Sequence, residues 1–307
     1  MGPVCILNPS AGRGTAGRKW KRLREGLKRQ GYDVETLVTT GPGDAARLTG
    51  QVISQGAKVI IAGGGDGTAG QIAGAAAWSG AAVVLAPLGT GNDLAKGLGI
   101  PLNRTLWVKR FPTLVYRKID IGMVNGQPFV NQTGVGFDAR VARKANLGIG
   151  PFTGSLAYLA SVVSCLRDLN PSEVEIRVEE FTLQLKILLA AFANSRYVGG
   201  GLNLVPAAVP DDGVLNLVII EEVSAAELLK SFPLIFSGRH VDHPAVSHWR
   251  GKSFTLNCGK PEYIHIDGEI QKADRLEISV KPRCLNMLVP PESLKRLKAI
   301  KKLEPAT

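Results

Sequence analysis

Val59-Ile60-Ile61-Ala62-Gly63-Gly64-Gly65-Asp66-Gly67-Thr68 decides how this 307-residue chain is read. An apolar run enters a glycine turn, and small residues from Ala69 to Ala77 follow as a helix. A strand, a glycine turn and a helix in that order make an anion site. The turn's N–H groups converge and the helix N-terminus adds partial positive charge. Glycine lets a phosphate approach main chain with no Cβ in the way. Asp66 is the unexpected residue, because a carboxylate in such a cradle repels phosphate unless a cation lies between them. The loop therefore suggests a metal–nucleotide complex.

Gly65, Gly67 and Gly70 also satisfy the dinucleotide pattern G-x-G-x-x-G. That pattern requires an acidic residue at the end of the next strand. The next strand, Ala81 to Ala86, ends instead in Pro87-Leu88, so a dehydrogenase reading fails there. No G-K-[ST] follows a glycine loop, which removes the Walker A reading. A glycine turn without a ligand is the plain alternative. Five glycines between Gly63 and Gly70, with an aspartate among them, weigh against it.

Outward from this loop the pattern repeats. Val4 to Leu7 is a continuously apolar strand, as in a parallel sheet buried on both faces. It stops at Asn8-Pro9-Ser10-Ala11-Gly12. Trp20, Leu23 and Leu27 then form one stripe of a basic helix. A strand from Tyr32 to Thr39 leads through Gly41-Pro42-Gly43-Asp44 to a helix with Ala45, Leu48 and Val52 on one face. After Ala86 comes a third small-residue turn, Pro87-Leu88-Gly89-Thr90-Gly91-Asn92-Asp93. Alternating strands and helices indicate an α/β domain with a doubly wound, mostly parallel sheet. All three turns lie at the carboxyl ends of strands, where such sheets bind ligands.

Past residue 113 the pattern changes. Val115, Arg117, Ile119 and Ile121 alternate as in an antiparallel strand. Further strands are expected at Thr182–Phe192, Val214–Ile220, Ser253–Cys258, Tyr263–Asp267, Leu276–Val280 and Cys284–Val289. Helices are expected at Phe152–Arg167 and Ser224–Ser237, the second opening on a capping box, Ser224-Ala225-Ala226-Glu227. The expected division is an α/β domain over residues 1–119, rejoined by residues 286–307, and a mainly antiparallel β-sandwich domain over 120–285. The whole is a two-domain α+β protein. After Pro290-Pro291 a basic helix with Leu294, Leu297, Ile300 and Leu303 is expected to pack on the body of the protein.

Hydrophobic residues make up 45% of the chain and charged residues 21%, an ordinary balance for a soluble protein. No apolar run reaches the roughly 18 residues of a membrane span. Cys5, Cys165, Cys258 and Cys284 are scattered and read as free thiols in a reducing compartment. A cytosolic protein is expected. The net charge of +11 is concentrated in two blocks. Residues 13–29 carry eight Lys/Arg against Glu25, and residues 281–304 carry seven against Glu292 and Glu304. Such blocks suit an anionic partner or a solvated helix face. Little aromatic interleaving beyond Trp20 disfavours nucleic acid.

With these motifs assembled, the chain resembles the diacylglycerol kinase catalytic-domain family, in particular the bacterial soluble lipid kinases related to sphingosine kinases. The matching pieces are Asn8-Pro9-x-Ala11-Gly12, Gly64-Gly65-Asp66-Gly67-Thr68, Pro87 to Asp93, Asp211-Asp212-Gly213 and Asp267-Gly268-Glu269, in that order across essentially the whole chain. The resemblance implies ATP bound in a cleft between an α/β domain and a β-sandwich, with a lipid as acceptor. It implies ATP contacts at Asn8, Thr39, Gly64, Gly65, Asp66, Gly67, Thr68, Ala69, Gly70, Thr90 and Asn92. It further implies a Mg²⁺ site at Asp212 with Val209 and Val214, and Glu269 as general base with Asp267 beside it. The family usually continues the glycine loop with Asn-Glu where this chain has Gly70-Gln71.

Phosphoryl transfer needs positioning, charge neutralisation and removal of the acceptor's proton. The turns offer the first, and Asp66, Asp212, Asp267 and Glu269 are the carboxylates available for the others. Asp211-Asp212-Gly213 also reads as a plain turn. Spacing alone leaves Asp267 and Glu269 equal as bases, and a salt bridge to Lys272 or Arg275 is the structural alternative. His240 and His243 lack a third ligand and do not read as a metal site. Asn131 to Asp138 is a further Gly-rich stretch that either lines the site or makes a strand-end turn. The leading expectation is an ATP- and Mg²⁺-dependent lipid kinase in phospholipid metabolism, peripheral on an anionic membrane, with a homodimer left open. An NAD-kinase-like phosphotransferase and a non-catalytic lipid- or nucleotide-binding regulator are the alternatives.

Overall fold

The computed structural model describes residues 2–148 and 155–293. It divides into two compact units, one formed by residues 1–121 with 283–307 and the other by residues 122–282. The helix expected around Leu294 to Leu303, and most of the second basic block, lie outside the described residues.

The first unit is a parallel sheet. Its strands are β1 (Val4–Leu7), β2 (Glu35–Val38), β3 (Val59–Gly64) and β4 (Ala82–Pro87). β1 pairs in parallel with β2 on one side and β3 on the other, and β4 lies beyond β3. The chain thus leaves β1 towards β2 and later returns across it to β3. Right-handed crossovers in opposite directions put successive helices on opposite faces and open a crevice between the loops after β1 and β3. Accordingly the helices Asp44–Ser54 and Asp66–Ala76 pack together, while Ala16–Arg29 packs with Arg104–Arg110. Ala16–Arg29 buries Trp20, Leu23 and Leu27, each worth about 2 kcal/mol. Its packing is close enough that a Cβ at Gly26 would meet Val108 at 2.9 Å.

The chain leaves this unit along β5 (Val115–Val124), which pairs with β6 (Gln127–Phe129). The second unit is antiparallel. Its strands include β7 (Gln132–Gly136), β8 (Ser172–Val178), β9 (Phe181–Ala193), the short pair β10 (Tyr197–Val198) and β11 (Leu202–Asn203), β12 (Leu215–Glu221), β13 (Val246–Gly251), β14 (Ser253–Ile266) and β15 (Glu269–Val289). Long strands each serve two neighbours. β9 pairs β8 with its first half and β7 with its second. β14 does the same, pairing β8 early and β7 late, across an irregularity between Asn257 and Glu262. The four strands therefore close on themselves around an apolar core that includes Phe129, Val135, Ile176, Phe192, Leu256 and Ile264. The outer face of β7, β9 and β12 is covered by helices Phe137–Leu147, Ser155–Cys165 and Ala225–Ser231.

Several elements differ from expectation. Ser253–Cys258 and Tyr263–Asp267 are one strand, and Leu276–Val280 and Cys284–Val289 both belong to β15, whose end returns to the first unit and pairs with β4. Helix Ser224–Ser237 is two pieces, Ala225–Ser231 and Leu234–Ser237, broken at Pro233 because proline removes an amide donor. Ser224 caps the first piece by accepting from Glu227 N at 3.2 Å. Helix Phe137–Leu147 was hidden behind the glycines of Asn131–Asp138. Cys5, Cys165 and Cys258 are buried.

Candidate functional site

In the first unit the three turns meet through main chain. Asn8 N donates to Gly63 O at 2.9 Å, and Gly64 O accepts from both Leu88 N (2.9 Å) and Gly89 N (3.0 Å). A Cβ on Gly89 would strike Gly65 Cα, and one on Gly12 would strike Leu88 O. These are the two positions where close approach demands glycine. Asn92 closes the third turn in the left-handed region (φ 53°), its side chain bonded to both Gly89 N (3.1 Å) and Gly89 O (3.0 Å).

At the carboxyl ends of β1, β2 and β3 lies a cavity of about 350 Å³, lined by residues that include Asn8, Ser10, Thr39, Thr40, Gly67, Thr68 and Gln71. Asn8 Nδ2 donates to Thr68 Oγ1 at 3.1 Å, tying the first turn to the glycine loop, and Thr39 N donates to Leu7 O at 2.9 Å. Thr40 is held by Asp44, whose carboxylate accepts its N–H (2.8 Å) and hydroxyl (2.6 Å). The Thr40 hydroxyl bond chiefly, with the Thr40 N–H and Arg47, holds Asp44 at about 2. Four of the expected nucleotide contacts, Asn8, Thr39, Gly67 and Thr68, therefore share one cavity. Gly64 and Asn92 build its scaffold. Ala69 and Gly70 continue into the helix, and Thr90 is exposed on the third turn, outside the lining. Ser10, Thr40 and Gln71 were not singled out as contacts. The Gly70-Gln71 departure from the family pattern was the available signal for the last.

Asp66 does not face this cavity's lining. Its Oδ1 accepts from Leu94 N at 3.1 Å, and the N–H groups of Asp93 and Asn92 also bond it. The carboxylate that looked misplaced in a phosphate cradle thus clips the glycine loop to the start of helix Asp93–Gly97. Burial first, and then the neighbouring Asp93 carboxylate, push its carboxyl up to about 6, against the pull of those three N–H groups.

In the second unit, Asp267-Gly268 is a two-residue turn with φ of 47° and 90° joining β14 to β15, and Ile266 pairs with Glu269 across it. Asp267 Oδ2 accepts from Val130 N (2.8 Å), and Oδ1 accepts from Asn131 N (2.9 Å) and Gln132 N (3.0 Å). Burial pushes its carboxyl up, while those three donors favour the ionised form. Both oxygens are committed to the backbone of residues 130–132, whereas Glu269 is exposed at the start of β15. The two carboxylates that spacing could not separate are separated by geometry. Asp267 anchors the hairpin, and Glu269 is presented by it.

At the Mg²⁺ site expected from Asp212 with Val209 and Val214, the carboxylate already has protein partners. Asp212 Oδ2 is bound by Arg250 Nη2 at 2.7 Å, and its Oδ1 accepts from Val214 N at 3.2 Å around Gly213 (φ 79°). Magnesium needs only one or two carboxylates, and here it would share Asp212 with that guanidinium. No group of three or more His, Cys, Asp or Glu able to hold a metal occurs among the described residues. Asp211-Asp212-Gly213 is a turn closed by its own aspartate. His240 and His243 point apart in purpose: His240 Nε2 meets Leu204 O at 2.9 Å, and His243 Nε2 meets Glu227 Oε1 at 3.2 Å.

Comparison with known proteins agrees with both halves. Residues 3–124 match the family model of the diacylglycerol kinase catalytic domain, and residues 131–289 match that of the YegS C-terminal NAD kinase beta sandwich-like domain. A diacylglycerol kinase of Mycobacterium tuberculosis is 30% identical over 299 residues, covering 94% of each chain. That of Bacillus subtilis is 29% identical over 269 residues, covering 86% of this chain and 88% of its own. A crystal structure of a diacylglycerol kinase from Bacillus anthracis superposes with a TM-score of 0.73 at 19% identity, over 95% of this chain and 98% of that one. An α/β half followed by a β-sandwich half defines the class as a two-domain kinase. The chain belongs to the diacylglycerol kinase catalytic-domain family.

Proposed function

We propose that this chain is an ATP-dependent lipid kinase that transfers the γ-phosphate to a hydroxyl of a membrane lipid such as diacylglycerol. The observation that carries this reading is the cavity of about 350 Å³ at the carboxyl ends of β1, β2 and β3, lined by the segments that follow each of those strands. Its glycines leave main chain open to a polyphosphate, and Asn8, Thr39 and Thr68 offer side-chain hydrogen bonds to a nucleotide. ATP supplies the phosphoryl group when bound. Glu269, exposed on an anchored hairpin, would accept the proton of the lipid hydroxyl as its oxygen bonds the γ-phosphorus and the bridging oxygen leaves with ADP. The relatives named as diacylglycerol kinases favour a diacylglycerol acceptor.

Peripheral docking on an anionic bilayer is part of the same proposal. Arg18, Lys21, Arg22, Arg24, Lys28 and Arg29 are exposed along helix Ala16–Arg29, whose apolar stripe is buried. Attraction between such a face and anionic lipid falls as salt rises. No helix among the described residues is long and apolar enough to cross a membrane.

The test is transfer of radiolabelled phosphate from ATP to diacylglycerol, sphingoid and glycerol-lipid acceptors in liposomes of graded anionic content, with NAD as a soluble acceptor. Transfer to diacylglycerol that rises with anionic lipid is expected. Transfer to NAD alone would move the chain to the soluble phosphotransferases. No transfer, from a folded protein that also fails to bind ATP, would overturn the kinase reading.

A further inference from the structure

Glu269 sits on a hairpin, and a side chain so presented is only as well aimed as the hairpin is held. The anchor at Asp267 fixes the turn to residues 130–132. A second set of contacts comes from one helix, Phe137–Leu147, lying on β14. At its first turn Asp138 Oδ2 meets His265 Nε2 at 3.1 Å. Both residues are almost wholly buried, at 3% and 2% exposure. A Cβ on Gly134, the residue paired with His265 across β7 and β14, would strike Asp138 Oδ2. Glycine at 134 therefore opens the space through which the carboxylate reaches the imidazole. Asp138 Oδ1 accepts from Ala139 N at 2.8 Å, so the carboxylate is itself oriented. Thr133 Oγ1 donates to His265 O at 2.7 Å and fixes the same strand position from β7.

Further along the helix, the Arg143 guanidinium lies 4.6 Å from the centre of the Tyr263 ring, two residues before His265. At the helix end Asn146 Nδ2 donates to Gly268 O at 2.9 Å, gripping the turn residue next to Glu269. One helix thus holds three successive parts of the catalytic strand: Tyr263, His265 and Gly268. Packing of the helix on the sheet needs none of these polar contacts, because Phe137 and Val141 already bury its apolar side.

We propose that helix Phe137–Leu147 is the positioning element of the Glu269 hairpin, with Asp138, Arg143 and Asn146 as positioning residues for the proton-accepting carboxylate. The inference rests on the kinase reading above for its catalytic consequence, and on the hairpin contacts alone for its structural one. Misplacement of a reacting group by about 1 Å costs up to roughly a hundredfold in rate. Loss of a single exposed contact should cost a fraction of that.

Arg143→Ala, Asn146→Ala, their double variant, Asp138→Ala and Asp138→Asn are compared with the wild-type chain in two measurements. The first is lipid phosphorylation with kcat and the KM for ATP separated. The second is amide hydrogen exchange of the peptide spanning Ile264 to Gln271. Arg143→Ala and Asn146→Ala remove exposed groups, so both fold. Each should lower kcat about threefold and the double variant about tenfold, at unchanged KM for ATP and with faster exchange at the hairpin. Asp138→Ala should lose more than either, and Asp138→Asn, which retains a hydrogen-bonding partner for His265, should recover part of that loss. The proposal is overturned if the double variant keeps wild-type kcat, or if kcat falls while hairpin exchange stays unchanged. A wild-type chain that transfers no phosphate would remove the kinase reading instead, leaving the exchange measurement to decide whether the helix holds the hairpin.

Discussion

The glycine loop after β3 and the hairpin between β14 and β15 solve a similar problem in opposite ways. Each carries an aspartate beside glycine, and in each that aspartate turns away from chemistry to bind backbone N–H groups of a distant loop. Asp66 takes Leu94 with its neighbours, and Asp267 takes residues 130–132. What each then offers differs. The glycine loop offers main chain and the Thr68 hydroxyl, lining a cavity. The hairpin offers one carboxylate, Glu269. The aspartate of each motif is thus its clip, and on the reading proposed above the proton acceptor is the neighbour that the second clip leaves exposed.

The sharpest way to break this comparison is Glu269→Gln. If Glu269 takes the acceptor's proton as proposed, kcat should fall by about two to four orders of magnitude while the unfolding midpoint stays put. A variant that keeps its rate, or one that unfolds, would mean that Glu269 is not the presented base. Asp267→Ala should show the reverse emphasis. It strands three N–H groups, and an unsatisfied or charge-assisted bond of this kind is worth about 1–3 kcal/mol. A loss of about 3 kcal/mol in urea unfolding is therefore expected, with activity falling only as far as the hairpin loosens. Equal effects of the two substitutions would erase the division of labour between them.

How much of this was legible in the sequence follows from the range of each interaction. Glycines at 12 and 89 announce themselves, because close main-chain approach leaves no room for a Cβ. Asp267-Gly268 announces a tight turn for the same kind of reason. The alternation of apolar runs and helices up to residue 100, and its replacement by strand-like alternation after 113, separate the two halves. The partners of the two aspartates could not be read, because they lie 28 positions away for Asp66 and more than 130 away for Asp267. Nor could Arg250 be seen to pair with Asp212 from 38 positions away. Two strands are expected where β14 is one, which carries Gly259 (φ 67°) and Pro261 as an irregularity between Asn257 and Glu262. Helix Phe137–Leu147 opens at Gly136, so a glycine-rich reading concealed a helix start.

Gly89→Ala sharpens the other side of the comparison, where function lies in main chain. The added methyl meets Gly65 Cα, and a backbone has nowhere to rotate. Overpacking of this kind costs about 1–3 kcal/mol, and ATP affinity should fall with it because the two turns must part. Calorimetric ATP binding that is unchanged, in a protein of unchanged stability, would show that the turns are not interlocked as described.

The comparison is sharpened last by a difference in pH dependence at Asp66. Its carboxyl lies at about 6 in the folded chain, against 3.8 for the free group. Below pH 4 it is protonated in both folded and unfolded states. Between 4 and 6 the unfolded chain releases a proton that the folded chain still holds, so the contribution of this group to stability declines as pH rises, and it levels off above 6. Asp66→Asn has no such proton to release. The stability difference between wild type and Asp66→Asn, from urea midpoints taken between pH 4 and 8, should therefore shift against the wild type up to about 6 and then stay constant. Asparagine retains one carbonyl oxygen for Leu94, so its midpoint above pH 6 should lie near that of the wild type. Parallel curves from pH 4 upward would mean that Asp66 is solvated and ionised throughout, and that the clip is looser than its three N–H partners imply.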